Sequence, residues 1–332
     1  MRYRNVIAVA LASAFVGSQA PAHHSANAYD FESPAVLSGT VTDYEWRNPH
    51  VYIYLDIEGD DGELRNWTIE GFPPALMRRS GWTSDTLGPG AEVSLQVFSA
   101  RDTASATAML GPAQSAEGVL VDTRSYFDAA VDAAATGTAS SIFGNWAGVR
   151  APDAMNADTW PLTDRGREAL TAFTDAESPS ASCIPGPAPG AMVFPDFKQI
   201  EDIVNTIVIR AEFDNMERVV YMEGDLPGDP VDSIQGYSRG RWEGDALVVE
   251  TNQFTEHRSG NGYGIPSGTD KRLIERFSLN ESGDSLTYSF ELTDPEYFTE
   301  PVIREMQWVY RPDVEYSVLP CDLANAQRFL AE

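Results

Sequence analysis

Basic residues are scarce. Lys and Arg number 23 against 50 Asp and Glu, a formal net charge of −27. A surface so negative repels phosphate backbones and anionic headgroups, which sets nucleic acid aside as a partner. The plain reading of the acidity is solubility. Histidine is scarcer still, with only His23, His24, His50 and His257. Cysteine is limited to Cys183 and Cys321. No Gly-x-Ser-x-Gly elbow, phosphate-binding loop or dinucleotide fingerprint occurs. Beyond the first residues no run is long and apolar enough for a membrane helix.

The N-terminus has the layout of a secretory signal. Arg2 and Arg4 are its positive end, residues 6–16 a short apolar core, and Ala20-Pro21-Ala22 a small-residue cleavage site. Cleavage after Ala22 avoids a proline just past the cut and leaves a chain starting His23-His24-Ser25. No cysteine lies near the cut, which argues against a lipoprotein. The expectation is a soluble periplasmic or secreted protein, with residues 1–22 removed. In an oxidising compartment Cys183 and Cys321 are expected to pair, the alternative being two separate thiols. The bridge would close a long loop, worth roughly 4 kcal/mol in the chain-entropy account.

What the chain has in quantity is turns and rings: 26 Gly, 21 Pro, 7 Trp, 13 Tyr and 15 Phe. Residues 235–254, QGYSRGRWEGDALVVETNQF, set two alternating runs around Glu243-Gly244-Asp245, a hairpin signal. The same grammar recurs on both sides. In the first part, strands are expected over 36–46, 51–58, 65–72 and 92–100, with further short ones at 103–110 and 118–123. A short helix opens at Pro73-Pro74 and ends at Gly81. Three strands, a helix and about two more strands is the order of an OB-like small barrel. Residues 129–141 are small and polar, and 125–142 read as a linker. A short helix over 163–173 has Thr163 as its cap. Then come strands at 206–213, 218–222, 233–242, 246–252, 271–279, 285–293 and 302–311. With 142–150 these make eight, the pattern of an antiparallel up-and-down barrel. The expected fold is all-β: an OB-like barrel at 23–124, then an eight-stranded lipocalin-like barrel at 143–332.

Two resemblances bear on these halves. Ala22-His23-His24-Ser25, Gly39-Thr40-Val41, Trp46-Arg47-Asn48-Pro49-His50, Asn66-Trp67 and Gly81-Trp82 resemble an exported bacterial family of unknown function over most of residues 22–102. That family has no settled activity, so the likeness implies a fold and little more. Gly144-Asn145-Trp146 resembles the Gly-x-Trp of lipocalins, in which a late arginine stacks on the tryptophan; Arg304 and Arg311 are the available positions. Residues 144–321 also resemble an uncharacterised family of exported lipocalin-like domains. Its marks here are Cys183 to Gly186, Gly240 to Asp245, Val248 to Thr251, Glu275-Arg276-Phe277, and Asp294 to Thr299. They carry no established chemistry.

Three functions are open on these residues. The leading expectation is that the second barrel binds an apolar or amphipathic small molecule, with Trp146, Tyr237, Trp242, Phe254, Tyr288, Phe290 and Trp308 lining or plugging it. The second is a barrel-cavity isomerase, hydratase or lyase using Glu275, Arg276 or His257. Strand charges such as Arg241, Glu250, Glu275 and Arg276 would serve only where they face inward and find partners. Otherwise they are solvated, as Glu243 and Asp245 are in their turn. The third is copper: the amine and imidazole of His23 with His24 or His50 make a nitrogen set that suits Cu(II). Against it, His23 and His24 read as a frayed start and His50 as a strand cap.

Overall fold

The computed structural model describes residues 29–59, 61–79, 81–115, 120–121, 134–149, 151–222, 233–328 and 330. They form two closed barrels. The first contains β1 (Tyr29–Trp46), β2 (Val51–Glu58), β3 (Leu64–Glu70), α1 (Pro74–Arg79), β4 (Glu92–Ala100) and β5 (Thr107–Ser115), with a short β6 (Leu120–Val121) added to β5. Around the ring the order is β1-β2-β3-β5-β4, and β4 returns to β1. β1 is long enough to serve both neighbours, pairing β4 through Thr40 and β2 from Thr40 onward, with a bulge between Val41 and Asp43. Pro74 begins α1, where a missing N–H costs nothing. The helix closes at Gly81, whose φ of 86° suits glycine, as Trp82 N–H returns to Met77 O at 3.0 Å. Val51, Ile53, Leu55, Ile69, Leu95 and Val97 alternate inward to make an apolar core.

The second barrel has nine strands: β7 (Gly144–Gly148), β8 (Phe197–Ile203), β9 (Thr206–Ala211), β10 (Met216–Tyr221), β11 (Tyr237–Glu243), β12 (Ala246–Asn252), β15 (Arg272–Leu279), β16 (Ser285–Thr293) and β17 (Val302–Tyr310). Between β12 and β15 the chain makes a hairpin, β13 (His257–Gly262) and β14 (Ile265–Ser267). The sequence leads one to expect eight barrel strands; the ninth is β8. Its signal is weak for two reasons. Its inward face carries Lys198, which breaks the apolar alternation. Its turn into β9 uses Val204 and Asn205 at φ 33° and 65°, and a β-branched residue is a poor marker of a left-handed turn.

The odd counts have a topological consequence. Strand direction alternates around a wholly antiparallel closed ring, so such a ring needs an even number of strands. With five and nine strands, each barrel must contain a parallel pair. In the first it is β3 beside β5, with Thr68 opposite Thr107; in the second it is β10 beside β11, with Val220 opposite Ser238. The expectation of an antiparallel up-and-down barrel is corrected at that pair.

Thr163 caps α2 (Asp164–Thr171) as its sequence suggests, accepting from Gly166 N–H at 3.1 Å. Of the linker, residues 134–142 pack on the second barrel. Thr136 N–H reaches Tyr310 O at 3.1 Å, Ala139 N–H reaches Gly283 O at 2.7 Å, and Ile142 is buried in the core. Residues 125–133 lie outside the described residues. The C-terminal tail lies across both barrels. Cys321 is disulfide-bonded to Cys183, 138 residues away, with a Cα–Cα distance of 5.7 Å. Asn48 pairs with Cys321 in an isolated bridge and accepts from Asp322 N–H at 2.8 Å. Asn325 Nδ2 donates to His50 O at 3.0 Å, while its Oδ1 accepts from His50 N–H at 3.2 Å.

Candidate functional site

The interior of the second barrel is filled by its own side chains. Trp146, Tyr288, Phe290, Trp308 and Phe254 are buried in one cluster. Tyr288 stacks on Trp308 at 4.9 Å, and Phe277 packs against Tyr288 at 5.1 Å. Two of the expected seven rings depart. Trp242 is 46% exposed at the end of β11, edge-on to Phe143. Tyr237 is half-buried and stacks on Tyr221 at 5.2 Å. The arginine expected on Trp146 is also elsewhere. The ring against Trp146 is Tyr310, while Arg304 donates to Thr159 O and Arg311 lies over Phe197.

Charges complete the interior. Glu275 points inward from β15 and is fully buried. Arg218 from β10 holds it with two bonds of 2.5 and 2.9 Å, and Tyr288 Oη donates to it at 2.8 Å. Burial and then Glu275 push the Tyr288 hydroxyl well above its ordinary range. A carboxylate held by three donors is structurally committed and poorly placed to work as a base. Arg276, the next residue, faces solvent and pairs with Glu243 at 2.9 Å. Arg241 likewise pairs outside with Glu243 and Glu250. His257 sits on β13, its Nδ1 accepting from Ser259 N–H at 3.1 Å, with burial lowering its pKa. The three residues considered for catalysis are therefore separated into an interior ion pair, an exterior ion pair and a hairpin edge.

Further buried cations occupy the barrel's ends. Lys198 contacts Asp196 and Phe194 O, and lies 5.5 Å from the Trp308 ring. Burial raises the Asp196 pKa and lowers that of Lys198, with their mutual attraction opposing both shifts. Lys271 donates to Ala188 O at 2.9 Å and Gly260 O at 2.6 Å, with its ammonium 4.1 Å from the Phe254 ring. Burial pushes Lys271 down to about 7.

A pocket of 380 Å³ lies at the seam between the barrels. The first barrel contributes the Asn48–His50 turn, Phe72 and α1; the second contributes the loop with Cys183, the Phe213–Asn215 turn between β9 and β10, and the tail. Its walls are mainly apolar: Phe72, Leu76, Met109, Ile184, Phe194 and Val318. Arg79 from α1 crosses the seam to hold Glu212 with two bonds of 2.8 and 2.5 Å, and its guanidinium covers Phe197 at 4.3 Å. Burial raises the Glu212 pKa while Arg79 opposes. Asp214 keeps part of its surface accessible on the pocket wall, yet sits so deep that burial dominates its titration and pushes it up to about 7. His50, the one described member of the expected copper set, lines the same pocket. Its Nδ1 is 3.1 Å from Gly71 O and 3.3 Å from Glu70 Oε1. His23 and His24 lie outside the described residues. Among the described residues no group of three His, Cys, Asp or Glu is arranged to hold a metal.

A family described as a family of unknown function (DUF6152) matches residues 10–109. The match spans the first barrel's strands through part of β5, the part whose Trp-x-Asn-Pro-His and Gly-Trp motifs carry the first resemblance. A search of curated proteins found no match to the chain.

The seam residues are those that sequence reasoning missed. Asp214 and Asn215 form the turn that follows the strand expected over 206–213, and nothing local says that this turn faces another barrel. Arg79 reads as the end of a helix. The one available signal was the pair of cysteines: a bridge from 183 to 321 has to draw the tail onto the loop that forms the pocket's wall.

Proposed function

We propose that this is an exported two-barrel protein that binds an apolar or amphipathic small molecule, and that the molecule sits in the pocket between the barrels. The observation that carries the reading is the contrast between two spaces. The interior of the second barrel holds stacked rings and buried ion pairs, whereas the seam holds 380 Å³ lined by apolar side chains with a few charged groups among them. That size and mixture suit a small-molecule site. Export is supported by the N-terminal residues and by the Cys183–Cys321 bridge, which is at home in an oxidising compartment. The division proposed is a leader at 1–22, a first barrel at 23–124, a linker at 125–142 and a second barrel at 143–332.

The test is a native mass spectrum of the protein purified from its own host's periplasm, compared with an Ala75→Trp variant. Ala75 is on α1 at the pocket wall, and an indole there would fill the space. A small-molecule adduct on the wild type and its loss in the variant are expected. An adduct that survives Ala75→Trp would move the site elsewhere.

A further inference from the structure

The seam pocket has an electrostatic character of its own. Four carboxylates line it, Asp175, Asp196, Glu212 and Asp214, against the single guanidinium of Arg79. Two of the four have cations of their own: Glu212 is held by Arg79 and Asp196 by Lys198. Asp214 is different. Its hydrogen-bond partner is the Ser180 hydroxyl, a neutral group, and among the described residues no cation pairs with it. The backbone explains why it stays where it is. Asp214 adopts a left-handed φ of 52° in the turn between β9 and β10, and its carbonyl accepts from Gly186 N–H at 3.1 Å. Gly186 lies so close that a Cβ there would be 2.7 Å from Asp214 Cβ. The carboxylate is therefore held against Gly186 on the wall of a mainly apolar pocket.

A carboxylate without a cation in such a place is costly to ionise. Burial raises its pKa, the Ser180 bond opposes, and the charge of Asp196 raises it again. The remaining charged and titratable groups at the pocket are the Arg79–Glu212 pair, Asp175 and His50, with Tyr263 near Asp196 and Asp214. A ligand anion would meet these carboxylates at close range, and a wholly neutral ligand would leave Asp214 unpaired. A ligand cation would supply the charge that the protein withholds.

We infer, on the reading of the seam as a binding site, that its ligand is a cationic amphiphile: an apolar body against Phe72, Leu76 and Phe194, and an ammonium head paired with Asp214. The pairing resembles a partly buried salt bridge completed by the ligand, which favours the charged form of both groups.

The experiment compares three probes of equal chain length, octylamine, octanol and octanoate, by calorimetric titration of the purified protein at neutral pH, and repeats them on Asp214→Asn. Octylamine should bind roughly tenfold tighter than octanol, a difference of ~1.4 kcal/mol, and octanoate weakest. In Asp214→Asn the amine should fall to the level of the alcohol, with octanol unchanged. Octanol or octanoate binding as well as octylamine, or an amine preference that survives Asp214→Asn, would overturn the inference while leaving a binding pocket. No binding by any probe would remove the pocket reading itself, and the inference with it. The wild-type comparison stands even if the variant fails to fold.

Discussion

The two barrels solve the same closure problem with opposite interiors. The first fills its ring with aliphatic side chains, and its buried carboxylate, Glu70, accepts from Tyr29 Oη at 2.6 Å. The second buries Lys198, Arg218, Lys271, Asp196, Glu275 and Asp294 along with its aromatic rings. An apolar core tolerates imperfect packing in proportion to the lost contact. A charged interior works only while every member has its partner. The difference predicts that one barrel should be sensitive to volume and the other to charge.

The sharpest way to break that comparison is Arg218→Met. It leaves Glu275 buried with only Tyr288 as a donor, and about 3–5 kcal/mol of stability should be lost, read by urea unfolding. Replacing both partners, Arg218→Met with Glu275→Leu, should restore most of it. If the single variant is as stable as the wild type, the interior ion pair is not what organises the second barrel. Cys183→Ser should cost ~2–4 kcal/mol in the same measurement, because it frees the tail that lies across the two barrels. Arg79→Met should cost ~1–3 kcal/mol by stranding Glu212, with increased protease cutting at the seam rather than within either barrel.

The pH response should sharpen the contrast further. Lys271 titrates at about 7 in the folded state against an ordinary 10.5. Between those values the unfolded chain binds more protons, so this group's contribution to stability rises with pH across that window; its full penalty is present below about 7. Lys271→Met should flatten that slope in a series of unfolding midpoints. Asp214 acts in the opposite sense, from 3.8 to about 7. There the folded protein binds more protons, so stability falls as pH rises, with the full penalty above about 7, and Asp214→Asn should remove this. The smallest effect belongs to Trp242→Ala, within about 0.5 kcal/mol, since that ring stands at the exposed end of β11.

What could be read beforehand follows the same division. Period-two apolar alternation exposed most of the strands and with them the OB-like order, and a threonine ahead of a helical run exposed the cap at Thr163, because those signals are local. Glu275 was legible only as a strand charge whose direction was undecided; inward alternation with Leu273 and Phe277 decides it. β8 was missed because Lys198 occupies an inward position and Val204 a turn position, each contrary to its neighbours' pattern. The seam was invisible for a different reason. Glu212 and Arg79 are 133 residues apart, and their meeting depends on how two finished barrels face each other. The cysteine pairing was foreseen from count and compartment, though not that it would stand beside a pocket.

The Cys183–Cys321 bridge and the tail that it holds also set an order of events. Synthesis runs from the N-terminus, so the first barrel's strands exist long before Asn325 can bond to His50, and Cys183 must remain a thiol until residue 321 has been made. The pocket's wall is then completed only after the last strand of both rings has been made. A chain that stopped at residue 320 would contain every strand of both rings yet have no Cys321 with which to fasten the seam.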